Sequence, residues 1–109
     1  MIKVFIKIFA SVAETPPNSA EKEQYLVKNS QGMIKINIVG YPQPNFEWKK
    51  NGEVVELSGR YSTTPNGSLK ISNVDIDDEG IYSVIATQEY LEVDITGIFV
   101  TVRGEIDVL

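Results

Sequence analysis

The sequence predicts an all-β fold, a two-sheet antiparallel sandwich, and three observations predict it. Apolar residues recur with period 2 along most of the chain, as half-buried strands require. Turn signals built from Gly, Pro and Asn interrupt these runs at a spacing of about ten residues. No window of about eleven residues or more sustains the 3.6-residue apolar stripe of an amphipathic helix.

The elements follow in order. Met1-Ile2-Lys3 and the apolar run ending at Ser11-Val12-Ala13 imitate a secretory leader with a small-residue cleavage site. The run is short and Lys7 stands at its centre, so a first strand is expected instead, and with it a fragment of a longer protein. The polar stretch from Glu14 to Lys28 contains Pro16-Pro17 and reads as an edge strand crossing from one sheet to the other, where Pro is tolerated. Ile34, Ile36 and Ile38 alternate with Lys35 and Asn37; Phe46 and Trp48 alternate with Asn45, Glu47 and Lys49. Leu69 and Ile71 flank Lys70, while Tyr82, Val84 and Ala86 alternate with Ser83, Ile85 and Thr87. Asn51-Gly52 and Asn66-Gly67 are expected to supply the positive φ angles of two tight hairpins. A last strand pair or long final strand runs through Val93, Ile95, Ile98, Val100 and Val102, and Gly97 breaks its alternation as a β-bulge would. One domain over 1–109 accounts for the whole chain, with a strand core from about 3 to 103 and a tail over 104–109.

Composition narrows the function. The 109 residues include no Cys and no His, which removes thiolate or imidazole metal sites and His-based nucleophilic triads. Carboxylates, amines and hydroxyls are left, and Glu105 and Asp107, the nearest thing to an acid–base pair, fall in the expected tail. The expectation is a binding module with no enzymatic activity, cofactor, metal or small-molecule substrate. The net charge of −5 and the scatter of the basic residues disfavour a nucleic-acid surface. No apolar stretch approaches the roughly 18 residues of a membrane span, so any membrane link would lie outside this sequence. Asp75-Ile76-Asp77-Asp78-Glu79-Gly80 imitates the start of a calcium loop, but Ala86 stands where the closing Glu belongs and no flanking helices are expected. A turn before the next strand is the plainer reading.

The motifs Gly40-x-Pro42-x-Pro44-x-x-x-Trp48, Leu69-x-Ile71 and Asp78-x-Gly80-x-Tyr82-x-Val84 together resemble the immunoglobulin superfamily, intermediate type (I-set). The resemblance implies a core of Ile36, Trp48, Leu69, Tyr82 and Val84, with Tyr82 as the tyrosine corner. It also implies that Ile36 and Val84 stand where the two sheet-bridging cysteines would be. A disulfide closing the loop from residue 36 to 84 contributes roughly 4 kcal/mol on a chain-entropy model. Burial of each aliphatic, worth about 1.5–3 kcal/mol, offsets part of that loss.

Two contexts resemble this bridge-less form. Within the superfamily, the closer is the fourth extracellular immunoglobulin domain of vascular endothelial and platelet-derived growth factor receptors. Lys3-Val4-Phe5-Ile6, Gly40-Tyr41-Pro42-Gln43-Pro44 through Trp48-Lys49-Lys50-Asn51-Gly52, and Gly80-Ile81-Tyr82-Ser83-Val84-Ile85 carry that likeness. It implies a spacer and protein-interaction module in the extracellular part of a receptor tyrosine kinase, bringing protein partners together and touching a second copy when receptors pair. The alternative is a cytosolic domain of a giant muscle protein of the titin kind, where a reducing compartment removes the need for a bridge.

The resemblance also nominates residues. Arg60 and Asp78 are expected to form a structural ion pair across the base of the sandwich. The receptor pattern for a contact between copies places Asn73 where an Arg is usual and keeps the acid at Asp78, so a homotypic contact through Asn73 and Asp78 is a weaker expectation. Independently of any resemblance, Asn66-Gly67-Ser68 is an N-glycosylation sequon, and Ile85 is an apolar residue on an outward-facing position.

Overall fold

The structure is a computed structural model that describes residues 5–8 and 20–104, with the backbone alone for residues 5–8 and 41. Ten strands are present in it: β1 (Phe5–Ile8), β2 (Glu23–Val27), β3 (Gly32–Ile34), β4 (Ile38–Tyr41), β5 (Asn45–Lys50), β6 (Glu53–Val54), β7 (Tyr61–Thr63), β8 (Leu69–Ile71), β9 (Gly80–Gln88) and β10 (Leu91–Arg103). One layer is the five-stranded sheet β2-β10-β9-β5-β6. The other is formed by β3-β8-β7 and by the pair β1-β4, since β4 follows β3 after three residues.

Chain entry explains the polar amino-terminal third. β1 pairs antiparallel with β4 in one layer, whereas β2 runs parallel to β10 in the other. The edge therefore changes sheets between β1 and β2, as expected of the stretch containing Pro16-Pro17; that dipeptide and Ser11-Val12-Ala13 lie outside the described residues.

Alternation decides what is buried. Ile34, Ile36 and Ile38 enter the core from one layer with Leu69 and Ile71. Trp48, Tyr82, Val84, Ala86, Ile95 and Ile98 meet them from the other, all in one apolar cluster. The strand through Ile34–Ile38 is not continuous, however. At residues 35–37 side chains replace strand pairing. The Gln24 amide accepts the Lys35 N–H at 2.7 Å and donates to the Lys35 carbonyl at 2.9 Å. The Ser68 hydroxyl accepts the Ile36 N–H at 3.0 Å and donates to the Ile36 carbonyl at 2.9 Å. The Ser68 pair satisfies the buried backbone of Ile36, and the Gln24 pair, at the exposed Lys35, ties the edge of one sheet to the other.

The two Asn-Gly turns differ. Asn51 and Gly52 have φ of 50° and 86°, the pattern of a two-residue type I′ hairpin. At the second site only Gly67 has a positive φ, 94°. The Gly67 N–H donates to the Thr64 carbonyl and the Thr64 N–H to the Ser68 carbonyl, each at 2.9 Å. This is a three-residue loop, Pro65-Asn66-Gly67, ending in a left-handed glycine, not the two-residue turn expected. Pro65 takes the first turn position, for which its fixed φ suits it, and displaces the asparagine by one. A Cβ on Gly67 would lie 2.6 Å from Phe46 Cε1 and 2.9 Å from Ile36 Cδ1. Gly67→Ala should accordingly destabilise the domain by about 1–3 kcal/mol, read from the midpoint of urea unfolding.

In β10 the register against β9 shifts between Ile95 and Ile98, and Gly97 has a φ of 71°. The bulge expected there is present. It returns Ile98, Val100 and Val102 to the buried side after Ile95.

Candidate functional site

Asp75 opens a single 3₁₀ turn, Ile76–Asp78, between β8 and β9. Its side chain accepts the Ile76 N–H at 2.8 Å, and its own N–H donates to Asp78 Oδ2 at 2.8 Å. This reciprocal cap turns Asp78 inward, where 1% of it is exposed. Arg60, leading into β7, reaches it with both terminal nitrogens, Nη1 to Oδ2 at 3.0 Å and Nη2 to Oδ1 at 3.1 Å. The Tyr61 hydroxyl donates to Oδ1 at 2.9 Å and accepts from Arg60 Nη2 at 2.9 Å. Arg60 Nη1 also donates to the carbonyls of Ser72 and Asn73. The Tyr82 hydroxyl donates to the Asp78 carbonyl at 2.6 Å, closing the tyrosine corner.

The electrostatics follow from this geometry. Burial pushes the Asp78 carboxyl up, but the Arg60 guanidinium, the Asp75 amide and the Tyr61 hydroxyl outweigh it and hold the group below the usual carboxylate range. Burial, with the Asp78 charge nearby, holds the Tyr82 hydroxyl far above the usual phenol range. Both carboxylate oxygens of Asp78 are occupied within the chain, so the arrangement is a clamp between β7, the 3₁₀ turn and β9.

That occupancy corrects one expectation. A contact between copies through Asn73 and Asp78 needs an accessible acid, and Asp78 has no surface or free acceptor to offer. Asn73 itself is exposed, with a φ of 48°, and its carbonyl serves Arg60. The acidic run is a cap and a clamp: Asp75 caps the turn and Asp78 faces Arg60. Among the described residues no group of three acidic side chains converges on a point that would hold a metal ion.

At the opposite end, Trp48 Nε1 donates to the Gly67 carbonyl at 2.9 Å, and the Trp48 and Tyr82 rings meet edge to face at 6.4 Å. Asn66 of the sequon is half-buried, its Nδ2 donating to Asn37 Oδ1 at 3.2 Å and its Oδ1 accepting from the Thr64 hydroxyl. Ser68 of the sequon is the buried hydroxyl that serves Ile36.

The outward face of the five-stranded sheet departs from the polar pattern expected of a solvated surface. Tyr25, Ile81 and Phe99 are 53%, 46% and 53% exposed. They are neighbours: Phe99 of β10 lies opposite Ile81 of β9 and Glu23 of β2, and Tyr25 is the next residue of β2 on the same face. Ile85, singled out in the sequence, is half-buried on the same face of β9 but farther along, beyond Ser83, between Asp94 and Glu47. Phe99 hid between the buried Ile98 and Val100; the Gly97 bulge was the signal that turns it outward.

Comparison with known proteins places this architecture. The sequence description "Immunoglobulin I-set domain" matches residues 18–102. The chain belongs to the immunoglobulin I-set family. Contactin of Drosophila melanogaster is 41% identical over 69 residues, covering 63% of this chain and 5% of contactin. The human netrin receptor DCC is 36% identical over 62 residues, covering 56% of this chain and 4% of the receptor. Mouse papilin is 47% identical over 47 residues, covering 43% of this chain and 4% of papilin. The chain thus spans about a twentieth of the length of these relatives. Among solved structures, Sidekick-1 immunoglobulin domains 1–4 superpose with a TM-score of 0.72 at 19% identity, covering 97% of this chain and 27% of that one. An immunoglobulin domain in the titin M10–obscurin-like 1 complex gives 0.63 at 24% identity, covering 78% and 89%. In this I-set domain Ile36 and Val84 are both buried in the core, and with no cysteine in the chain there is no bridge.

Proposed function

We propose that this I-set domain is a protein-binding and spacing module in the extracellular part of a multidomain cell-surface protein. The match to the I-set family over residues 18–102, with contactin and a netrin receptor among the relatives, is the observation that supports this reading most. The geometry supports it too. The shifted carboxylate, Asp78, is sealed against Arg60, and the surface depression beside β6, about 500 Å3 and lined by Lys50, Glu53, Glu56 and Tyr61, is shallow and open. Such a module works by holding its neighbours at a fixed separation and by presenting a sheet face or loops to other proteins. The finer assignment to a growth factor receptor tyrosine kinase rests on short motifs alone, and none of the relatives named above is a growth factor receptor.

One observation favours the second reading, a cytosolic domain of the muscle type: the chain has no cysteine, which suits a reducing compartment. An antibody raised against the domain separates the two. Labelling of intact cells is the expected result, and labelling only after permeabilisation would overturn the extracellular reading. The sequon adds a second measurement. Asn66 Nδ2 carries two hydrogens and the bond to Asn37 uses one, so a glycan can replace the other without breaking it. The domain from its native cells should lose mass on enzymatic deglycosylation, and the Asn66→Gln variant expressed there should not.

A further inference from the structure

We propose that the outward face of the five-stranded sheet is a self-association surface, on which a second copy of this chain packs with its strands reversed. The proposal rests on the protein-binding reading above and names its partner.

The first support is the apolar strip. Ile81 and Phe99 lie side by side on β9 and β10, and Tyr25 of β2 stands one row along, opposite Thr101, each of the three about half exposed. Single exposed aliphatics are ordinary, but a contiguous run of large ones marks an interaction site. The second is the distribution of charge along the same face. At the end where β10 begins, Asp94 and Glu47 flank Ile85 in one row, and Glu92 stands one row beyond. At the end where β10 finishes, the Arg103 guanidinium sits 4.1 Å over the Tyr25 ring. Glu79, near that basic end, spends its carboxylate on the Val102 N–H. The middle carries Glu23 and Lys49, one charge of each sign.

A two-fold axis lying in the interface, perpendicular to the strands, lays this pattern reversed onto itself. The acidic end of one copy then lies over Arg103 of the other, twice, with the apolar residues between them. That is the self-complementarity an isologous pair requires. A packing with strands parallel would instead set carboxylates against carboxylates. Five strands about 4.8 Å apart and some 20 Å long present on the order of 450 Å2 per copy. Stable complexes bury about 800 Å2 per partner, so the pair is a weak one that gains when copies are held side by side.

Sedimentation equilibrium of the domain from about 10 μM to about 1 mM tests this. A reversible dimer, weakened by added salt, is expected. Phe99→Ser should weaken it at least about tenfold, as should Arg103→Glu. The double variant Arg103→Glu with Asp94→Arg exchanges both ends of the same contact and should recover most of the association. Ile81→Ser serves in place of Phe99→Ser if the latter alters the unfolding midpoint. A strict monomer across the range, or a dimer indifferent to both the apolar and the charge variants, overturns the proposal. Either result leaves the extracellular assignment standing, because antibody labelling of intact cells does not depend on self-association.

Discussion

Arg60→Met should cost about 3–5 kcal/mol of unfolding free energy, measured by urea unfolding at neutral pH. The reason is asymmetry in the pair. Asp78 is buried to 1% exposure, whereas the Arg60 side chain is 38% exposed. Removing the guanidinium strands a carboxylate that keeps only the Tyr61 hydroxyl and the Asp75 amide. Removing the charge of Asp78 leaves an arginine that can still reach water and still bonds the carbonyls of Ser72 and Asn73, so Asp78→Asn should cost less. The pH dependence gives the result its signature. The folded carboxyl of Asp78 is depressed, so its contribution is complete above the unfolded value near 4 and is lost as pH falls through the folded one. In Arg60→Met the guanidinium that lowers that carboxyl is gone while the burial that raises it remains, so it should protonate at a higher pH than in the wild type. The gap between wild type and variant should therefore narrow on acidification below about pH 5, as protonation relieves the stranded charge. A gap independent of pH would mean that Arg60 acts through packing of its stem alone.

The strand alternation, the bulge at Gly97 and the core positions were legible because each depends on a local period or on a single residue type. Ile36, Trp48, Leu69, Tyr82 and Val84 are all buried, and a period of two is enough to point all five inward. What escaped the sequence depends on distant groups. Nothing near Lys35 says that Gln24 will take its backbone bonds, or that Ser68 will do so for Ile36. Both partners come from other strands or loops, and they break a strand that propensity alone would continue. The second Asn-Gly turn was misread because Pro65, one residue earlier, sets the loop length. At the base, the acid and the arginine were found, but a contact between copies was placed on a carboxylate whose burial only the 3₁₀ cap reveals. The outward apolar strip was half visible: Ile85 attracted notice, while Phe99 and Ile81 lie on different strands and become neighbours only through the register of β9 and β10.

Trp48→Ala should be still more damaging, costing at least about 3–5 kcal/mol, which takes much or all of a stability of order 5–15 kcal/mol. Trp48 is fully buried at the junction of the two layers, edge-on to Tyr82, and its Nε1–H satisfies the Gly67 carbonyl. In a bridged sandwich the covalent loop limits the unfolded chain and part of such a loss is tolerated. Here no cysteine exists, and the same loss falls on apolar packing alone. Trp48→Phe separates the two contributions. It retains an aromatic ring against Tyr82 but leaves the Gly67 carbonyl without its donor, so an intermediate cost of about 1–3 kcal/mol is expected. Because Trp48 is the single tryptophan, its fluorescence reports unfolding of the wild type, and circular dichroism must report that of both variants. Should Trp48→Ala unfold cooperatively within about 1 kcal/mol of the wild type, the aliphatic layer of Ile34, Ile36, Leu69 and Val84 would be the element that holds the sheets together, with the indole a passenger.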